Sequence, residues 1–365
     1  MKSPLKTFGI LFVLTILAVQ SFWIVVLKGG LGDEAAPAPS VISSSPPLSS
    51  GSRIMPDVFL SEGDGAAISA AITSLPAHGG VVELGPGLFH VSEPIVIERD
   101  GVELRGAGEE TVLRLTDGAN CPVLVIGSTV TPIPHVTRDV IVRFLQIDGN
   151  RGTQSFECWG GACDGGDKSF IRNNGITVRG TEDSRIEHVS THNCRSGGIV
   201  LEKGCRRVHI SHFEAYNNEF DGLAAYETED SQFTHMKLHT NRSAGVSVDW
   251  RFHHNLVADS EIFNNGSQGI FMRDSSENRF KNLILRNNGL QGIFIAETRE
   301  IPGSACQRNT FDALSITDNG TEGIRVNDAS CVDNEIAHSH ISGNGTEDIS
   351  VAVEGLLFQV ETLDP

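Results

Sequence analysis

Four residues of useful chemical type recur at one interval in this chain of 365 residues: Glu202, Tyr226, Asp249 and Arg273 are separated by 24, 23 and 24 positions. Residues repeated at one interval line up in space when the chain coils with that period, and stacked parallel strands then set them about 4.8 Å apart. That step is close to the spacing of sugar units along a glycan. In such a row Arg273 neutralises a uronate carboxylate bidentately, which eases removal of the proton on the adjoining carbon. Tyr226, or the carboxylates Glu202 and Asp249, exchange that proton, and His253, just beyond Asp249, is a further acid-base candidate. These five form the catalytic set. The substrate-binding set comprises Arg179 one interval before Glu202, Lys203 and Asp274 beside the row, and the aromatic residues Trp250, Phe271 and Phe294, whose faces stack on sugar rings. Glu227 and Glu297 flank the same row.

Two other chemistries use the same residues. An inverting glycosidase holds two carboxyls roughly 6.5 to 9.5 Å apart, and Glu202 and Asp249, two coils apart, stand roughly 9.6 Å apart at the Cα level. A non-catalytic glycan-binding or surface protein keeps the aromatic faces without the proton transfer. In either case Asp249 and Arg273 can also pair simply as opposite charges on neighbouring strands. No zinc-type Cys/His spacing, nucleophile elbow or Walker loop occurs. No cofactor is expected; a calcium ion held by Asp and Glu is compatible with the composition but has no defined place.

The elements that position this row come from a repeat. Gly175, Gly198, Gly222, Gly245, Gly269, Gly292 and Gly323, followed by Asp348, are spaced 23, 24, 23, 24, 23, 31 and 25 residues apart, and the first and third residues after each are apolar. That alternation marks short strands with one buried face. Asn218, Asn241, Asn265, Asn288, Asn319 and Asn344 stand four residues before their anchors, and Asn255, Asn278, Asn309 and Asn334 form a second column. Repeats of this length cannot bury a face alone, so they stack as a solenoid, and right-handed crossovers make it a right-handed parallel β-helix, an all-β fold. Buried asparagines at stacked turns donate and accept along the stack as a ladder, so the sequons at Asn241, Asn265, Asn319 and Asn344 read as structural. Gly65–Leu75 has helical spacing and is expected to cap the first coil. Strands are expected at Val81–Leu84, Val102–Leu104, Val123–Ile126 and Val140–Ile147.

Upstream, Thr7–Leu27 is uncharged and almost wholly apolar, preceded by Lys2 and Lys6, which reads as a signal anchor or signal peptide over residues 1–28 and an extracytoplasmic, membrane-tethered protein. Residues 29–52 form a Pro/Ser/Ala-rich linker and residues 53–365 the folded domain. A formal charge of −18 without a basic run excludes nucleic-acid binding. The same sign repels a polyuronate unless a local basic groove or a cation intervenes. Among the seven cysteines, Cys306 and Cys331 occupy one coil position on successive coils and are expected to form a disulfide at the base of the insertion within Thr298–Gln307. A second pairing, Cys158 with Cys163, is expected within one loop, whereas Cys194 and Cys205 are not expected to pair.

The run GDGAAISAAITSLPAHGGVVELGPGLFHVSEPIVIERDGVELRGAGEETVLRL resembles the opening segment of the pectate-lyase-like β-helix superfamily. LQIDGNRG and the repeats that follow resemble the catalytic module of secreted mannuronan C5-epimerases, over about Gly63 to Val351. The resemblance implies a polysaccharide substrate. It does not carry the catalytic set, because the epimerase pattern Tyr-Gly-x-Asp-Pro-His is matched here by Gly197-Gly198-Ile199-Val200-Leu201-Glu202. Tyr226, one coil on, takes the place of the missing tyrosine in this reading.

Overall fold

The computed structural model describes residues 55–155, 171–298 and 303–360. Each repeat closes one coil. The coil that starts at Gly222 runs along Leu223–Tyr226, turns at Glu227, adds Thr228–Glu229, turns at Asp230, and returns along Gln232–Thr234 and Lys237–His239 to Asn241. Leu223 pairs in parallel with Ile199 of the coil before and Val246 of the coil after. The first strands of successive coils make a ten-stranded sheet, the second a six-stranded sheet, and the returning strands a long third sheet. The inward residues of the first sheet, such as Ile199, Leu201, Val246 and Val248, are fully buried. Each such side chain contributes roughly 1.5–3 kcal/mol, against roughly 0–1 kcal/mol for an exposed ion pair, so the inward rows hold the solenoid together.

The corners oppose the fold. Glu227, Asp230, His235 and Thr240 all have φ between 48° and 56°, and a left-handed residue other than glycine costs about 1–2 kcal/mol. The asparagine columns offset this cost. Asn265 Nδ2 donates to Asn288 Oδ1 at 3.0 Å and to the Leu238 carbonyl at 3.1 Å, while its own Oδ1 accepts from the Asn241 side chain at 3.0 Å and backbone at 3.1 Å. The pattern runs unbroken from Asn218 to Asn344, and the second column does the same from Asn255 to Asn334. The ladder sequons at Asn241, Asn265 and Asn319 are buried. Along the bend of the long sheet, Phe144, His188, His212 and His235 stack ring on ring at 5.1, 4.4 and 4.8 Å.

At the N-terminal end the Gly65–Ser74 helix starts at Asp64, whose carboxylate accepts the Ala67 N–H at 2.9 Å, and it buries Ile68 and Ile72 over the first coil. The four expected strands occur as Gly80–Leu84, Val102–Arg105, Leu124–Gly127 and Ile141–Asp148. Residues 1–28, the linker 29–52 and the Cys158–Cys163 pair lie outside the described residues; no helix among the described residues is long and apolar enough to cross a membrane. The Cys306–Cys331 disulfide is not formed: both are free thiols, hydrogen-bonded to each other in the buried coil position the spacing gave them. The base of the insertion is closed instead by Thr298 and Ser304, which exchange a backbone and a hydroxyl hydrogen bond, each 3.1 Å long. Cys194 and Cys205 are likewise buried free thiols.

Candidate functional site

The strands Ile176–Arg179, Ile199–Glu202, Leu223–Tyr226, Val246–Asp249, Ile270–Arg273 and Ile293–Ala296 lie side by side in the ten-stranded sheet. Their register sets Arg179 opposite Glu202, Tyr226 opposite Asp249 and Arg273 opposite Ala296. The row read from the spacing therefore exists. Its members are far from equally accessible.

Arg179 is fully buried and is not a substrate-binding residue. The turn after Leu124–Gly127 crosses over it: its guanidinium donates to the Ser128 carbonyl at 3.2 Å and to Thr131 Oγ1 at 2.6 Å, and it pairs with Glu202 at 2.9 Å. Asp249 is only 3% exposed. Its carboxylate pairs with Arg273 and accepts from Thr298 Oγ1 at 2.9 Å and the Trp250 N–H at 2.8 Å. Arg273 thus serves a buried carboxylate, and its guanidinium also lies 5.2 Å from the Phe271 ring centre. The opposite-charge pairing open to Asp249 and Arg273 is thus present, and it gives Arg273 a part in stability. Asp274 is buried at a turn with φ 41° and accepts the Arg251 N–H at 3.1 Å, so it holds the corner rather than a ligand. Phe271 and Phe294, both half-buried, stack on each other at 5.5 Å and 10°.

Tyr226 is half-buried, with the ring of the exposed Trp250 6.0 Å away and tilted by 51°. Burial, reinforced by the charges of Asp221 and Asp249, pushes its phenol up. Glu202 is also pushed up by burial, against the pull of Arg179. Lys203 stands next to it at a corner with φ 64°. His253 Nδ1 accepts the Ser276 N–H at 3.0 Å, which places the neutral ring's proton on Nε2. Glu227 pairs with Arg251 at 3.2 Å and Glu297 accepts from Ser330 at 2.7 Å.

Two participants escape sequence reasoning. Asp221, just before the Gly222 anchor, is buried, and desolvation raises its carboxyl to about 6 despite the Ser243 and Ala244 hydrogen bonds. Thr298, the first residue of the insertion, reaches back over two coils to Asp249. The position of Asp221 one before an anchor was visible, but its burial was not. Among the described residues no three side chains of His, Cys, Asp or Glu are placed to hold a metal ion.

Residues 174–311 match the family model described as a right handed beta helix region. The fold is that of a right-handed parallel β-helix. No curated protein matches its sequence. Among solved structures, the β-helix protein is similar to the A-module of an Azotobacter vinelandii mannuronan C-5 epimerase, at 24% identity and a TM-score of 0.64 over 78% of this chain and 76% of that one. It is similar to ORF18 of Geobacillus virus E2, at 15% identity and a TM-score of 0.62 over 82% of this chain and 57% of that one. An endo-xylogalacturonan hydrolase from Aspergillus tubingensis aligns at 12% identity and a TM-score of 0.55, over 79% of this chain and 88% of that one. At these identities the likeness is one of fold.

Proposed function

We propose that this β-helix protein is an extracytoplasmic enzyme that acts on a uronate-containing polysaccharide by abstracting the proton at C5, as an epimerase or a lyase. The observation that carries the reading is Tyr226: a half-buried phenol in the row, opposite Asp249 on the next strand and 6.0 Å from the exposed ring of Trp250. A neutral phenol is a proton donor. In an epimerase it reprotonates C5 from the face opposite the base; in a lyase it protonates the departing glycosidic oxygen. Glu202 in the row and His253 just beyond it are the bases, and Lys203 is the cation that offsets charge on the uronate carboxylate. Trp250 supplies the sugar platform. Two of the similar structures carry polysaccharide-processing names, which supports a glycan as substrate. The apolar Thr7–Leu27 segment supports an extracytoplasmic location, tethered by that segment.

A hydrolase pairing Glu202 with Asp249 fits less well, because Asp249 is already committed to Arg273, Thr298 and the Trp250 N–H. The test is a panel of polyuronates and neutral glycans, read by absorbance of unsaturated ends, by proton NMR and by reducing-end assay. Unsaturated ends or inverted C5 signals are expected. New reducing ends without unsaturation would overturn the reading in favour of hydrolysis, and binding without product would make the protein a glycan-binding one. With the active glycan in hand, Tyr226→Phe should lower kcat by about 10²-fold or more, the usual size of an acid-base contribution. The variant should melt where the parent does.

A further inference from the structure

A chain of charge −18 that holds a polyuronate must concentrate cations somewhere. The position three residues before each glycine anchor, at the corner where the ten-stranded sheet begins, carries Arg172, Arg195, Glu219 and Arg242 on four successive coils. The register is fixed by backbone bonds from one coil to the next: Ser196 N–H to the Asn173 carbonyl, Glu219 N–H to the Cys194 carbonyl, and Arg242 N–H to the Asn218 carbonyl. Glu219 is the hub. Its carboxylate, 8% exposed, pairs with Arg151 at 3.5 Å, with Arg195 at 3.6 Å and with Arg242. One carboxylate thus gathers three guanidiniums. Two of the three reach solvent, Arg242 at 73% and Arg151 at 34% side-chain exposure.

The geometry is that of a tethered cation cluster. A buried carboxylate orients the guanidiniums but cannot use five donors on each, so the two exposed ones, Arg242 and Arg151, keep donors for solvent or a ligand. Coil spacing sets the array at about 4.8 Å per step. The coils that carry Arg195 and Glu219 continue into the strands that end at Glu202 and Tyr226, so the knot and the Tyr226 site lie at the two ends of the same strands. We infer that Arg242 and Arg151, organised by Glu219, form a carboxylate-binding subsite for the anionic polysaccharide at a distance from the reacting sugar. This subsite rests on the polyuronate reading above and names the surface that overcomes the repulsion of the chain's net charge. A contact that binds ground state and transition state equally acts on KM and Kd and leaves kcat alone, and this is the behaviour assigned to the subsite.

The experiment uses the full chain, run by affinity electrophoresis through gels containing polygalacturonate or alginate at low and high salt, alongside kinetics on whichever polymer is turned over. Arg242→Gln and Arg242→Glu should weaken retention by about tenfold or more at low salt, with the parent's own retention falling as salt is raised, because exposed pairs are screened. KM should rise with kcat unchanged, and Arg242→Lys should keep most of the binding. A thermal melt shows whether each variant is folded, and Arg242→Gln, which keeps a hydrogen-bond donor for Glu219, stands in should the charge reversal unfold. Parent-like retention of the folded Arg242→Glu variant would overturn the subsite while leaving the Tyr226 chemistry standing. Lost retention in Arg242→Glu together with full turnover by Tyr226→Phe would uphold the subsite and overturn that chemistry. If the parent chain is retained by neither polymer at low salt, both proposals fall.

Discussion

Removing the Arg273 side chain would leave the Asp249 carboxylate, 3% exposed, with only Thr298 and a backbone N–H as partners. Breaking one side of a buried pair costs about 3–5 kcal/mol, whereas replacing both partners is far milder. Arg273→Ala should therefore lower the melting temperature sharply, and Asp249→Asn in the same chain should restore much of it; calorimetry of the two proteins checks this. Asp221 gives the opposite sign. Its folded carboxyl sits at about 6, above its unfolded value near 3.8, so the folded state binds more protons between those values. The stability this contributes is complete below about pH 4 and is lost as pH rises through about 6. Asp221→Asn should consequently stabilise the protein at pH 7–8, by about 3 kcal/mol at most, and flatten the stability profile between pH 4 and 6 in urea titrations. The charge types of this row were legible from spacing alone. Which of them face solvent was not, because Arg179 is covered by a turn from a non-repeating segment and Asp221 by the coils on either side.

At the level of elements, the ladders and the insertion make separate demands. Asn265→Ala removes an amide whose oxygen accepts two hydrogen bonds and whose nitrogen donates two. Each buried polar group left without a partner costs about 1–3 kcal/mol. The variant should lose several kcal/mol, and the denaturant midpoint should fall by much more than for alanine at an exposed corner such as Thr240. The repeat made this element plain in the sequence: a fixed period, an asparagine at a fixed offset and apolar alternation all demand one architecture, and the helix over the first coil follows from the need to cover it. The insertion was legible from the 31-residue step between Gly292 and Gly323. Its role was not, since the bond from Thr298 to Asp249 crosses two coils and no periodicity encodes it. The paired cysteine positions were correctly superposed, yet the two thiols meet through a hydrogen bond rather than a covalent bond.

For the molecule as a whole, mild acid acts through the long sheet. Burial lowers the His192, His209 and His212 imidazoles, and for His212 the stacked His188 and His235 add repulsion, against the attraction of Glu187. A histidine depressed on folding contributes stability above its unfolded value, near 6.5, and loses it as pH falls below that. His212→Gln should blunt the loss of stability between pH 6.5 and 5, and combining it with Asp221→Asn separates the two opposing titrations. The asparagine ladder bears on the whole column in another way. Every Nδ2 from Asn218 to Asn319 donates toward the following coil, and the second ladder from Asn255 to Asn334 points the same way. Head-to-tail amide dipoles add, as they do along an α-helix, so their positive pole lies at the C-terminal coils. There Asn344 Nδ2 donates to the Asp348 carboxylate at 3.1 Å. An anion sits at the positive terminus of the array, in the role an acidic residue plays at the start of a helix, and the solenoid thereby acquires an electrical direction: a coil grafted onto it extends the stack in one orientation and is opposed by it in the other.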